Sequence, residues 1–164
     1  MTAFNQPRTV CHAALAAALI TLFLVTPQVS HAASSDSDDK APESEYSLAK
    51  QAMDDGDYDV AIDKLTRLHE EDPNDADVLN MLGYGYRKIG NFDQSRGYYL
   101  QALAIDPNHR GANEYLGELY LETGQLNMAE ERLAVLDKDC WLGCSEYDAL
   151  KESVAKYKAD KGIK

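Results

Sequence analysis

The sequence predicts an all-α protein, an α-solenoid of three helix hairpins followed by a C-terminal capping helix. Three observations predict it. Segments 42–75, 76–109 and 110–143 align without gaps at a fixed period of 34 residues. Within the segments, apolar residues recur at helical spacing, at slots 4, 7, 8 and 11 and again at slots 17, 20, 24 and 27. Between these two stripes every segment carries a glycine at slot 15 (Gly56, Gly90, Gly124), where one helix must end in a left-handed cap before the next begins.

The first element stands outside the fold. Met1 to His12 carries one charge, Arg8, and Ala13 to Val25 is an apolar run. Ser30-His31-Ala32 then fits a small-x-small cleavage site. Together these read as an export signal, 1–32, cut after Ala32. The apolar run falls short of the roughly 20 residues a membrane-spanning helix needs, so no stable membrane insertion is expected after cleavage. Cys11 precedes the apolar run rather than following it, which argues against a lipoprotein. The expected compartment is the bacterial periplasm or the exterior. Residues 33–41 are small, polar and acidic and read as a flexible leader.

The middle segment sets the register, with Leu79, Leu82, Gly83, Tyr86, Gly90, Phe92, Ser95, Tyr99, Ala102 and Pro107 in their slots. The first segment repeats it with Leu48, Ala49, Gly56, Tyr58, Ala61, Leu65, Leu68 and Pro73, and the third with Leu116, Gly117, Tyr120, Gly124, Leu126, Ala129 and Leu133. Small residues at slot 8 (Ala49, Gly83, Gly117) allow two helices to approach closely. Asp57 and Asn91 are placed to cap second helices, and Asp75 and Asn108 to cap the helices after Pro73 and Pro107. The slots are broken at Glu45, Asn113, Ala52, Leu136 and Trp141, all in the outer segments, where departures are expected of a repeat array.

This pattern resembles the tetratricopeptide repeat (TPR). The resemblance implies a right-handed superhelix whose first helices line a concave groove, with slots 2, 5, 9, 12 and 13 turned toward a protein ligand. Those slots hold Tyr46, Lys50 and Met53 in the first segment, Asn80, Tyr84, Arg87 and Lys88 in the second, and Glu114, Glu118 and Glu122 in the third. The implied groove runs from an aromatic wall through a basic step to a carboxylate ridge. Tyr46, Asn80, Tyr84 and Arg87 suit contact with an extended peptide or a helix. Some TPR modules clamp a partner's terminal carboxylate with Lys, Asn and Arg. The corresponding places here, Tyr46, Lys50, Met81, Gly111 and Tyr115, do not match that set.

Cys140 and Cys144 enclose Trp141-Leu142-Gly143 at the turn before the last element. Three readings stand: a structural disulfide, a Cu(I) thiolate pair and a redox pair. Trp141 and Leu142 are expected to plug the seam beneath the cap, with an exposed, partner-anchoring Trp as the alternative. Within 144–164, the stripe Tyr147, Leu150, Val154 and Tyr157 predicts the capping helix and its tail. Ser145 with Asp148 resembles a capping box.

Composition narrows the function. With 28 acidic residues against 16 basic and a net charge of -12, the chain is a poor partner for nucleic acid or anionic lipid. No nucleophile elbow, zinc-protease motif or phosphate-cradling loop occurs, so neither catalysis nor a cofactor or metal is expected. His69 and His109 read as ordinary surface or packing residues. The sequence therefore predicts an exported scaffold that binds another protein or a peptide segment through its groove, in envelope assembly. A copper-handling or thiol-redox accessory protein using Cys140 and Cys144 is the alternative.

Overall fold

A computed structural model describes residues 44–163. The expected export signal and leader, with Cys11, lie outside the described residues. Seven α-helices follow one another with no strand among the described residues: α1 (Glu45–Asp55), α2 (Tyr58–Glu71), α3 (Ala76–Lys88), α4 (Phe92–Ile105), α5 (Arg110–Glu122), α6 (Leu126–Asp139) and α7 (Ser145–Lys161). Each helix packs on the next, and α5 also packs against both α3 and α7. Helices α3, α5 and α7 thus stand in a row, and α1 joins it through Ala49 and Met53, which pack with Val78 and Leu82 of α3.

The punctuation explains the boundaries. Gly56, Gly90 and Gly124 have φ of 83°, 79° and 78°, a conformation that favours glycine and turns the chain from one helix into the next. The side chains of Asp75 and Asn91 accept from the N–H groups of Val78 and Gln94, as expected of caps. Asp57 stands at its N-cap without a side-chain bond. The cap of α5 is His109 rather than Asn108: Asp106 holds the Asn108 N–H in the preceding turn, and His109 Nδ1 accepts from Ala112. Nor is there a capping box on α7. Cys144 takes the N-cap position, and the Ser145 hydroxyl donates to Glu146.

Two apolar clusters make the core. One gathers Ala49, Met53, Ala61 and Leu65 with Val78 and Leu82, and joins the first hairpin to α3. The other runs from Leu79 and Tyr99 through Leu116 and Leu136 to Leu150 and Val154, and joins the later hairpins to α7. The small slot-8 residues are required by close approach. A Cβ on Gly83 would lie 2.6 Å from the ring of the fully buried Tyr99. On Gly117 it would lie 2.5 Å from Leu150 of α7, so this glycine makes room for the cap.

Two polar departures from the repeat have structural causes. Asn113 is fully buried at an apolar slot and donates to the Pro107 and His109 carbonyls, while Arg132 of α6 donates to its oxygen. It fastens the turn before α5 to the hairpin it opens. Glu45 faces Lys64 and Arg67 across the first hairpin, at 3.2 and 3.7 Å.

Candidate functional site

The row α1, α3, α5 and α7 carries the candidate surface. On α1, Lys50 is exposed and Tyr46 is half-buried. Burial raises the pKa of the Tyr46 hydroxyl, with Asp77 and Asp75 adding to it, which sets this ring against the start of α3. Met53 is buried in the first core cluster, with its methyl against Gly85, and does not line the groove. An apolar, unbranched side chain at this slot finds more contact inward than outward. Asn80 is buried as well. Its amide nitrogen would be 2.9 Å from a Cβ on Gly111, so that glycine leaves space for it.

The centre of the surface is aromatic and cationic. The rings of Tyr84 on α3 and Tyr115 on α5 are 5.0 Å apart. The Arg87 guanidinium lies 5.5 Å from the first ring and 5.6 Å from the second, within cation–π range. Lys88 stands 5.7 Å from Tyr84 and 5.8 Å from Tyr58. The sequence pattern placed Arg87 among ligand-facing residues. Instead it is 8% exposed, and its Nη1 donates to Glu118 at 2.7 Å and to Glu122 at 2.9 Å. Burial disfavours the guanidinium charge, but Tyr99 and the two carboxylates outweigh it and hold its pKa above the ordinary value.

The carboxylate ridge is therefore partly compensated from the repeat before it. Glu114 does not pair directly with Arg87, as Glu118 and Glu122 do, and feels it only at longer range. Burial, reinforced by Glu118 and by Glu146 of α7 and opposed by Arg87, pushes its carboxyl up to about 7. Tyr115 is pushed up to about 12, chiefly by burial and next by Glu114.

Three contributors escaped the reading of slots: Tyr115, and Lys156 and Tyr157 of α7. A cleft of about 320 Å³ opens where α5 faces α7, lined by Glu118, Leu121 and Glu122 on one side and by Ser153, Lys156, Tyr157 and Asp160 on the other. One signal could have found part of the α7 wall. In the 34-residue register Cys144 takes slot 1, so Tyr147, Leu150 and Val154 continue the apolar slots 4, 7 and 11, and Lys156 takes slot 13, the groove slot of Lys88 and Glu122.

At the other end of α7, Cys140 and Cys144 form a disulfide with Cα atoms 5.5 Å apart, joining the C-cap of α6 to the N-cap of α7. In this form the pair has no thiolate to offer Cu(I). Trp141 and Leu142 do not plug the seam; they are 80% and 81% exposed. The Gly143 N–H donates to the Cys140 carbonyl at 2.7 Å, closing a turn whose two central residues point outward. Leu150, Val154, Tyr147 and Tyr157 seal the seam instead. Of the two histidines among the described residues, His109 places Nε2 3.0 Å from Asp77, and His69 stands edge-on to Tyr98. Among the described residues no group of three or more His, Cys, Asp or Glu is placed to hold a metal, and no helix is long and apolar enough to cross a membrane.

Comparison with known proteins agrees with this architecture. The family model described as tetratricopeptide repeat matches residues 76–109, the middle segment. An uncharacterized protein ycf37 of Pyropia yezoensis is 38% identical over 55 residues, covering 34% of this chain and 31% of that protein, so the match spans about a third of that relative's length. Among solved structures, the type III secretion translocator chaperone SycD of Yersinia enterocolitica superposes with a TM-score of 0.63 at 21% identity, over 73% of this chain and 84% of that one. PcrH in complex with the chaperone binding region of PopD gives 0.61 at 20% identity, over 72% and 89%. The first TPR of Spaghetti (RPAP3) bound to an HSP90 peptide gives 0.62 at 18% identity, over 72% and 90%. At these identities the likeness shows the fold.

Proposed function

Since this chain is a tetratricopeptide-repeat protein, we propose that it is a non-enzymatic scaffold that holds a segment of another protein against the row α1, α3, α5. The observation that carries this reading is the platform of Tyr84 and Tyr115, half-buried rings 5.0 Å apart with Lys88 beside them. Aromatic side chains backed by fixed cations are the residue types that dominate protein interfaces. Neighbours with this fold are described as bound to a chaperone binding region or to a peptide, which supports the same use of the groove here. The groove is acidic toward its α5 end, so its ligand differs from one recognised by a carboxylate clamp.

The compartment belongs to the same proposal. The N-terminal pattern of Arg8, an apolar run and Ser30-His31-Ala32 supports export. A bonded cysteine pair suits an oxidising compartment such as the periplasm, where the scaffold would serve envelope assembly.

The test is photo-crosslinking in cells with a reactive residue at Tyr84, set against one at the exposed Leu100 on α4. The expected result is a discrete partner captured from Tyr84 and not from Leu100, and lost when Lys88→Glu is added. Equal capture from both positions, or capture indifferent to Lys88→Glu, would sink the reading. Fractionation of the same cells checks the compartment.

A further inference from the structure

Helix α7 closes the apolar core with one side and still presents polar residues along the row of first helices. Its C-terminal half faces α5 across the cleft of about 320 Å³. That volume lies at the low end for ligand sites and suits one or two side chains rather than a whole small molecule. Leu121 and Tyr157 supply apolar surface, and charged groups rim the opening. On the α5 rim stand Glu118 and Glu122, on the α7 rim Lys156 and Asp160.

The charges decide what fits. Arg87 meets Glu118 through Oε2 and Glu122 through Oε1, both from the same nitrogen. One cation thus serves two carboxylates, and the second oxygen of each remains to accept. Counting Arg87 and Lys156 against Glu118, Glu122 and Asp160 leaves the rim acidic, and Glu114, one turn before Glu118, adds to the same sign when ionised. An acidic segment would be repelled, and this chain's own Asp36-Ser37-Asp38-Asp39 has the wrong sign to fill the cleft. A lysine or arginine reaching the rim would complete the pairing that Arg87 begins.

We propose that the α5–α7 cleft is a subsite for a basic partner segment, taking an apolar side chain between Leu121 and Tyr157 and a neighbouring cation between Glu122 and Asp160. This rests on the groove reading above and adds α7 as its fourth wall. The cap helix is then a binding element as well as a cover for the solenoid end.

The test is a nitrogen-15 NMR titration of the protein with a blocked hexapeptide of alternating leucine and lysine, and with its twin carrying glutamate for lysine. The lysine peptide is expected to move the amides of Leu121, Glu122, Lys156 and Tyr157, and the glutamate twin to leave them in place. Asp160→Lys, at an exposed position, should weaken binding about threefold or more, and Lys156→Glu should strengthen it by a similar factor. Opposite signs from two surface changes on one helix are not the mark of a folding defect. Equal response to both peptides, no response, or two variants shifting affinity the same way would overturn the subsite. Shifts confined to Tyr84 and Lys88 would overturn it while leaving the groove reading intact. That reading fails on its own evidence, when capture from Tyr84 survives Lys88→Glu.

Discussion

The Cβ that Gly117 lacks would lie 2.5 Å from Cδ2 of Leu150, so α5 and the cap helix meet where no larger residue fits. The middle hairpin uses its equivalent glycine differently: Gly83 admits the ring of Tyr99 from its own second helix. One repeated small residue thus serves packing within a hairpin at one position and docking of the cap at the next.

Three glycine-to-alanine changes separate these roles. Gly97 lies inside α4 with nothing within 4 Å of a new Cβ, so Gly97→Ala is expected to stabilise by up to about 1 kcal/mol through helix propensity. Gly83→Ala meets a rigid, buried ring and is expected to destabilise by about 1–3 kcal/mol. Gly117→Ala meets the end of a Leu side chain that is itself fully buried, and should fall between the two. Urea unfolding of the three variants gives the order. Gly83→Ala as stable as the parent would contradict the packing described here.

Arg87 holds α3 to α5 from a buried position. Arg87→Met keeps most of the apolar stem but leaves Glu118 and Glu122 facing each other without a cation. The expected loss is about 2 kcal/mol, the scale of hydrogen bonds to charged groups. Glu122 is 43% exposed, and Glu122→Gln should lose under about 1 kcal/mol. Equal losses from the two variants, measured by denaturant unfolding, would show that the guanidinium is not the shared element.

Glu114 gives the stability a pH dependence of known sign. Its carboxyl is held at about 7 in the folded chain against an ordinary 4.5. Over that window the folded state binds more protons than the unfolded one. The stabilisation is full below the unfolded value and is lost as pH rises through 7. Glu114→Gln should therefore lose less stability than the parent between pH 5 and pH 8, and should melt higher at pH 8. Since Arg87 lowers this pKa, Arg87→Met should move the titration of Glu114 further up, read by carboxyl NMR. A Glu114 titration in the ordinary carboxylate range would remove the effect.

The contrast between Glu114 and Arg87 shows what the sequence could convey. The period of 34, the glycines at the turns and the stripe on α7 were legible because each follows from local geometry and close packing, which recur in every copy. A slot number fixes which way a residue leaves its helix. It does not fix what the next helix brings to meet it. Arg87 and Asn80 share groove slots with Tyr84, yet α5 covers them, and Met53 turns into the core. Asn113 looked like a defect because its partners, the carbonyls of Pro107 and His109, are set by the tertiary turn. Of the α7 wall only Lys156 falls on a groove slot; Ser153, Tyr157 and Asp160 reach the cleft because α5 faces them, which no slot number conveys.

The disulfide links two helix caps through a loop of five residues, so loop closure predicts only about 2 kcal/mol of stabilisation. Replacing both Cys140 and Cys144 by Ser should lower stability by no more than that. Faster hydrogen exchange should be concentrated at the start of α7, with partner capture from Tyr84 preserved. Intact mass of the exported protein should be two hydrogens below that of the reduced chain. Free thiols that bind Cu(I), with partner capture lost in the serine variant, would instead favour the copper-handling reading.

Trp141 is the chain's single tryptophan and so reports the turn without interference. Standing 80% exposed at the tip of a closed loop, it should emit at the red end of the tryptophan range and be quenched efficiently by acrylamide. Unfolding should therefore change its emission maximum little, even as the helical circular dichroism is lost. Trp141→Ser should leave stability within about 0.5 kcal/mol of the parent, because no core contact is removed. Leu150→Ala, on α7 and fully buried, should lose about 2–5 kcal/mol. A blue-shifted, poorly quenched Trp141 would mean that the turn folds back over the cap. The pair Trp141 and Leu142 would then do the sealing that Leu150 and Val154 do in this structure.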